Sequence, residues 1–248
     1  MTPSPYQLTT PPDVLDRLHP RLRTYFGPVP PGHVGRGEGV FAVVGTPRRW
    51  LWPVLAWLAR DGVVFPVWER DVPFTVENRP VRVGRGAATG REARPTPTGR
   101  PTTEHPGSHT RGPSAGRVAV RAHRTFRFRS GDRTMVDAIT AEPEGLVDHL
   151  GRHGRLSATL RAEVDADGPD AGALRLVSTC VTFRALGRAV RLPAAVAPRV
   201  TLVERFDDEA GVQRVSLVLA APVVGTLYRY EGAFRYAVVP DVGGSGER

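Results

Sequence analysis

Two charged residues stand where a strand pattern predicts an apolar side chain. In Val118–Arg129 every second residue counted from Val118 is apolar except Arg124, and in Val200–Phe206 the same holds except for Glu204. Such alternation places one set of side chains on the buried face of a β-strand. A buried charge must be paired or must change its ionisation. We therefore expect both residues to point inward, where a mutual ion pair is the favoured arrangement and a ligand anchor is the alternative.

These residues could recognise a carboxylate or another polar group on a small molecule. Tyr228 and Tyr230 occur in the last long alternating segment and add hydroxyl groups to the set. The sequence therefore predicts a ligand-binding set made of Arg124, Glu204, Tyr228 and Tyr230. An enzyme would use the same residues around a carboxylate-bearing substrate, and the sequence leaves open whether any reaction is catalysed.

Motifs that would indicate a metal or a cofactor are weak. Gly35–Gly39 has the wrong spacing for a dinucleotide-binding loop, so we interpret it as an ordinary loop. Asp165–Asp170 begins like a calcium loop but lacks the glutamate at the twelfth position, so it is predicted to be a turn. His149 and His153 are separated by a glycine that would interrupt a helix, which favours surface histidines. Cys180 stands among strand residues, as a small core side chain would. The sequence thus predicts no metal and no cofactor.

The segment Trp50–Leu58 is apolar on nearly every side of a helix. The favoured interpretation is a helix that is buried under the sheet or closes its mouth. The other is an interfacial helix that dips into a bilayer between arginines at its ends. In that case the residues contacting the membrane would be Trp50, Trp52, Trp57, Arg48, Arg49 and Arg60.

The composition excludes several classes of protein. All 34 basic residues are arginine, which indicates nucleotide bias in the genome more than a phosphate-binding surface, so specific nucleic-acid binding is not expected. A single cysteine excludes an internal disulfide and suits a reducing compartment. Met1–Thr10 is polar and rich in proline, unlike a signal peptide, and no apolar run is long enough for a spanning helix. We expect a cytoplasmic protein.

The first third of the chain predicts helices and a few strands. Two short helices are expected in Asp13–Phe26, followed by a Pro/Gly loop over Gly27–Gly39 and a strand over Val40–Val44. A helix is expected from Thr46 to Ala59. Val72–Val83 is extended, and its two prolines indicate an edge strand or a break.

The remainder predicts mostly strands. Gly84–Arg117 has no aromatic and almost no branched apolar residue, so a disordered loop is expected there. A hairpin over Val118–Ile139 and a short helix over Glu142–Leu150 follow. The later strands are expected at Leu156–Asp165, Leu174–Arg184, Ala189–Leu192, Val200–Phe206, Val212–Ala220 and Val223–Val239.

This pattern predicts one mainly β domain, an antiparallel curved sheet or β-barrel with a few N-terminal helices packed on it. The domain is expected over residues 13–240, with a flexible N-terminus over 1–12, the disordered loop over 84–117 and a disordered tail over 241–248.

Several short motifs resemble the bacterial family called domain of unknown function 4166, over about Leu15–Tyr236. They are Leu18-His19-Pro20, Gly37–Phe41, Asp71–Asn78, Arg124-Thr125-Phe126, Leu146–Gly151, Leu192-Pro193, Glu204, Pro222 with Gly225, and Tyr230–Phe234. The resemblance implies no activity and no catalytic residues, since the family has none assigned. It implies that some members follow a nicotinamide-cofactor-binding domain, so a separate oxidoreductase is a possible partner.

For function, the sequence favours a non-enzymatic module that binds an apolar or acidic small molecule inside a barrel. Two alternatives stay open: an enzyme or oxidoreductase accessory acting on a carboxylate-bearing substrate, and a structural or partner-binding domain.

Overall fold

The computed structural model describes residues 2–83, 117–168, 170–185, 188–191, 193 and 197–242. The helices are α1 (Pro5–Thr9), α2 (Pro12–Leu15), α3 (Pro20–Phe26), a 3₁₀ helix (Arg49–Leu51) and α4 (Trp52–Ala59). The strands are β1 (His33–Gly45), β2 (Trp68–Glu69), β3 (Val72–Val83), β4 (Arg117–Phe128), β5 (Gly131–Glu142), β6 (Gly145–Leu150), β7 (Leu156–Val164), β8 (Leu174–Ala185), β9 (Arg188–Arg191), β10 (Arg199–Asp207), β11 (Val212–Ala221) and β12 (Gly225–Pro240).

Ten of these strands form a closed antiparallel barrel. Its order is β1-β3-β4-β5-β6-β7-β8-β10-β11-β12, and β12 returns to pair with β1. β2 and β9 pair with β1 and β8 outside this ring. The mainly β fold expected from the sequence is therefore confirmed, and closure leaves the ten strands of the ring without a free edge.

Strand alternation decides which side chains fill the interior. Leu146 and Leu160 are register partners on β6 and β7, and both are buried. The β4–β5 hairpin forms as expected, with Arg129 and Ser130 at its turn. From Ala122 to Phe128, every second side chain of β4 points into the barrel, and Arg124 is one of them. The strand phase predicted for Arg124 is therefore correct.

The loop expected over Gly27–Gly39 is wrong in its second half, because β1 begins at His33. The glycines face inward, where backbone and side-chain atoms of β12 and β3 occupy the space that a Cβ would need. A Cβ at Gly35 would overlap the hydroxyl oxygen of Tyr236, and one at Gly39 would overlap the carbonyl oxygen of Ala233. The glycine-rich segment is therefore a barrel strand that lets large aromatic side chains cross the interior.

Two other expectations also fail. The predicted helix over Glu142–Leu150 is a turn followed by strand β6, because β5 and β7 supply partners on both sides. β3 is not an edge strand, since β1 and β4 flank it. Its prolines are tolerated because each one pairs with a single neighbouring strand. Pro73 pairs with β1, since the pairing with β4 begins after it, and Pro80 pairs with β4, since the pairing with β1 ends before it.

Helices cover the two ends of the barrel. The cap, which we define as α1–α3 (Pro5–Phe26), lies at one end and buries Tyr6, Leu22 and Phe26 against β5–β8. At the other end Leu55 of α4 packs against the aromatic core of the barrel. No helix in the described part of the chain is long and apolar enough to cross a membrane.

The N-terminal segment 1–12, expected to be flexible, contains helix α1. Ser4 begins it by accepting a hydrogen bond from the amide of Gln7, and the Ser4 hydroxyl donates to the carbonyl of Phe26 at 2.7 Å. The predicted loop 84–117 lies outside the described residues except for Arg117, which begins β4. The predicted tail lies outside them from residue 243 onward.

Candidate functional site

A cluster of polar side chains lies inside the barrel beneath the cap. Its members come from the inward positions of seven strands and from two cap helices, and we call it the interior polar cluster. They are Tyr6, Tyr25, Asn78, Arg124, Asp137, Asp148, Glu204, Gln213, Tyr230 and Tyr236.

Arg124 forms an ion pair with Asp137 of the neighbouring strand. The Nη1 atom of Arg124 donates to Oδ1 of Asp137, and the two side chains are 17% and 4% exposed. The sequence favoured Glu204 as the partner, and this is wrong. β10 is not adjacent to β4 in the barrel, whereas Asp137 lies diagonally across from Arg124 on β5 and reaches it directly.

Glu204 instead accepts a hydrogen bond from Nε2 of Gln213 on the adjacent strand. Burial raises the pKa of Glu204 to about 7, which outweighs the opposing effects of Gln213 and of the more distant Arg124. A carboxyl group with this pKa holds its proton in roughly half of the molecules at neutral pH.

Asp148 is the third carboxyl group of the cluster. Burial raises its pKa well above the ordinary value, and the neighbouring Asp137 raises it further. The pKa of Asp137 is raised by burial too, although Arg124 acts in the opposite direction. Oδ1 of Asp148 is buried and has no hydrogen-bond partner in the protein. Burial therefore favours the protonated form of Asp148, which keeps one oxygen available.

Phenol groups and an amide complete the cluster on the side of the cap. Nδ2 of Asn78 donates to the hydroxyl of Tyr236 at 3.4 Å, while Oδ1 of Asn78 is buried without a partner. Burial raises the pKa of Tyr236 to about 12, so it stays a neutral phenol. The ring of Tyr25, from the cap, packs edge-on against Tyr236 with centroids 4.6 Å apart.

A small cavity lies inside the cluster, between its strand residues and the two tyrosines of the cap. Its volume is about 20 Å³, and its lining includes Tyr6, Tyr25, Asn78, Arg124 and Asp137. This is room for about one water molecule. A second pocket, of about 170 Å³, opens farther out between the start of the chain and strands β3 and β4.

Three of the four predicted ligand-binding residues meet in the cluster, and one does not. Arg124, Glu204 and Tyr230 influence one another electrostatically. Tyr228 is fully buried near Phe65 in the aromatic half of the barrel, away from the charged groups.

The sequence reasoning missed most of the cluster. Asp137 falls in the apolar phase of β5, and Asn78 and Gln213 fall in the corresponding phases of β3 and β11. The phase rule that found Arg124 would have found them. Asp148 was hidden because its segment was expected to be helical.

The residues weighed as metal ligands have other neighbours. Nε2 of His149 lies 2.9 Å from the hydroxyl of Thr140, and Nδ1 of His153 bonds to Asp61 at 2.5 Å. Cys180 is half-buried on β8 rather than in the core. In the ranges that the structure describes, no group of three or more His, Cys, Asp or Glu is placed to hold a metal ion.

Comparison with known proteins identifies the family but no activity. No curated protein and no solved structure matches the chain. The family model described as Domain of unknown function (DUF4166) matches residues 18–103 and 90–234, which include every strand from β1 to β11 and the core of β12. The chain therefore belongs to the DUF4166 family, as its motifs indicated.

Proposed function

We propose that this barrel binds a small molecule whose polar group contacts the interior polar cluster. One observation carries the proposal: Oδ1 of Asn78 and Oδ1 of Asp148 are buried without a protein partner, in a cluster that surrounds a buried ion pair. Buried polar groups are nearly always hydrogen-bonded, and an unsatisfied one costs about 1–3 kcal/mol. A ligand that bonds to these atoms would remove that cost.

The charge of the cluster favours one class of ligand. Three carboxyl groups, Asp137, Asp148 and Glu204, face one guanidinium, which already bonds to Asp137. An acidic ligand would compete with Asp137 for Arg124 and would meet two further carboxyl groups. A basic group would be stabilised by ionised carboxylates, and a neutral group could exchange hydrogen bonds with protonated ones. We therefore propose an apolar molecule with a basic or neutral polar group.

Binding of such a molecule requires the cap to move. The cavity beside Arg124 has room for about one water, and Tyr6 and Tyr25 of the cap form part of its lining. α1 is tied to α3 by the Ser4–Phe26 hydrogen bond and by the edge-on contact of Tyr6 with Phe26. Displacing these short helices would open the barrel at the cluster while leaving the ten paired strands intact.

Three probes with the same alkyl chain test the ligand class: decylamine, decanol and decanoate, measured by thermal shift and by native mass spectrometry. The amine and the alcohol are expected to raise the melting temperature, and the acid is not. Glu204→Gln should weaken the amine more than the alcohol, because only the amine uses the carboxylate charge. Arg36→Gln, which removes a surface ion pair on β1, is the matched control. If decanoate alone stabilises the protein, and Arg124→Gln abolishes that effect, the ligand is acidic rather than basic or neutral. If none of the three probes raises the melting temperature, the result counts against binding.

One observation favours a second candidate, an enzyme that uses Glu204 as a general acid or base. The pKa of Glu204 is raised to about 7, which suits a general acid or base at neutral pH. Catalysis would show as a change in the mass of a bound molecule during incubation, and Glu204→Gln would abolish that change without releasing the molecule.

A further inference from the structure

Several large apolar side chains are exposed at the end of the barrel opposite the cap. Trp50, Val54 and Trp57 are 62%, 56% and 45% exposed. They lie on the outer side of the 3₁₀ helix and α4, whose inner side packs Leu55 against the aromatic core. The segment therefore has two apolar sides. One side closes the barrel, and the other exposes two indole rings on the protein surface.

A further exposed apolar residue lies at the same end of the barrel. Val223 is fully exposed at the turn between β11 and β12 and has a φ of +66°, which is unusual for a β-branched residue. Arg48 adjoins this turn, because a Cβ built on Gly225 would lie 3.8 Å from its Nη2 atom. Val223 together with Trp50, Val54 and Trp57 is called the apolar face below.

In the part of the chain that the structure describes, the connecting segments at the two ends of the barrel carry opposite net charge. One end of the barrel carries the apolar face. The described segments between strands at that end contain seven arginines and two carboxylates. The described segments at the cap end contain three arginines and nine carboxylates. Arg49 and Arg60, at either end of the tryptophan-bearing helices, are both exposed.

From this arrangement we propose that the apolar face docks on an anionic lipid bilayer, with the cap directed away from it. Indole rings favour the boundary between headgroups and acyl chains, and arginines beside them can bond to lipid phosphates. Apolar insertion and electrostatic attraction then act together, as stable peripheral binding requires. Pairing of this face with a second copy is disfavoured because it would bring two basic ends together. The proposal is independent of the ligand proposed for the interior.

Vesicle sedimentation tests the proposal on the full chain. The protein is expected to bind vesicles of phosphatidylglycerol mixed with phosphatidylcholine, to bind pure phosphatidylcholine much less, and to lose affinity as salt rises. Trp50→Ser combined with Trp57→Ser, and separately Arg49→Gln combined with Arg60→Gln, should each weaken binding about tenfold or more. Leu8→Ser, at an equally exposed apolar residue of the cap end, should leave binding unchanged.

Tryptophan fluorescence supplies a second readout. Anionic vesicles should shift the emission to shorter wavelength, and lipids brominated on their acyl chains should quench it in the wild type but much less in the double tryptophan variant. The proposal is overturned if the wild type does not bind anionic vesicles, or if the tryptophan variant binds as well as Leu8→Ser. Concentration-dependent dimerisation that the tryptophan variant abolishes, without vesicle binding, would also overturn it in favour of self-association.

Discussion

Arg124 and Phe126 lie two residues apart on β4 and both face the barrel interior, yet their surroundings differ in kind. Phe126 belongs to a group of stacked rings, with its centroid 5.3 Å from that of Phe41 and 5.7 Å from that of Phe128. Arg124 belongs to a group of carboxyls and phenols whose pKa values are shifted by burial. The barrel therefore has an aromatic half under α4. Under the cap, the polar cluster lies beside aliphatic side chains of β5–β8, and this half is called the polar half below.

The two halves make different contributions to the protein. Apolar packing in the aromatic half removes ring surface from water and stabilises the fold at any pH. The polar half holds three carboxyl groups against one arginine, and hydrophobic side chains of the same volume would often stabilise a barrel as well or better. The polar half is thus the place where this sequence gives up stability, which is the physical reason for assigning function to it.

The largest effect is expected from breaking the aromatic half. Phe126→Ala should lower the free energy of unfolding by about 4 kcal/mol, because it leaves a cavity among rings that pack on one another. Urea denaturation measures this loss. Leu8→Ala, at an exposed residue of α1, is the control and should change stability by less than about 0.5 kcal/mol. A loss below about 1 kcal/mol for Phe126→Ala would mean that the rings do not form a rigid core.

A somewhat smaller effect is expected from the ion pair of the polar half. Arg124→Met should cost about 3 kcal/mol, because it leaves the Asp137 carboxyl buried without its cation. Replacing both partners, with Asp137→Leu added, should recover much of the loss. Arg36→Met breaks an exposed ion pair with Glu77 and should cost less than about 1 kcal/mol. Additive effects of the two interior changes would show that Arg124 and Asp137 are not coupled.

Much of the barrel could be predicted from the sequence because most strands alternate cleanly. β7, β8, β10 and β11 lie close to where the pattern places them. The failures occur where tertiary contacts outweigh local signals. The composition of Gly35–Gly39 is typical of a loop, but its glycines are needed in a strand because atoms of β12 fill the space of their missing side chains. β6 is a strand only because two neighbouring strands pair with it.

The candidate site could be predicted only in part, for a related reason. Strand phase shows that Arg124 and Glu204 face inward, but it does not show which strands become neighbours on closure of the barrel. The partner of Arg124 follows from the adjacency of β4 and β5, and Tyr25 reaches the cluster from a helix far away in the sequence. These relations are long-range and leave no local pattern.

Through Glu204, the polar half makes the stability of the protein depend on pH. The pKa of Glu204 rises from an ordinary 4.5 to about 7 on folding, so the folded protein binds a proton more tightly than the unfolded chain. The wild type should therefore lose stability as pH rises from about 4.5 to about 7, by at most about 3 kcal/mol. Glu204→Gln removes this dependence and should be more stable than the wild type by about 2 kcal/mol at pH 8, with little difference at pH 4.

Denaturation at several pH values measures the difference. Asp207→Asn, on the same strand, is the matched control because hydrogen bonds from the Ala210 amide and Arg214 lower the pKa of Asp207. That change should destabilise the protein at neutral pH and lose its effect as pH falls, which is the opposite sign. Equal pH profiles for the wild type and Glu204→Gln would show that Glu204 is hydrated rather than buried.

The smallest effect on stability is expected from replacing Asp148. This replacement also gives the clearest distinction between two carboxyl groups of the polar half. Burial and the neighbouring Asp137 raise the pKa of Asp148 well above the ordinary value, which favours the neutral acid, and Asp148→Asn replaces that acid by a neutral group of the same shape. Stability at pH 6 should change by less than about 0.5 kcal/mol, whereas Asp137→Asn should cost more because it removes the partner of Arg124. In a Glu204→Gln background, which lacks the other carboxyl group expected to hold a proton at pH 6, infrared spectroscopy should show a protonated carboxyl band that disappears when Asp148→Asn is added. If that band is absent and Asp148→Asn costs as much as Asp137→Asn, Asp148 is ionised, and the polar half carries a negative charge that would strengthen the preference for a basic ligand.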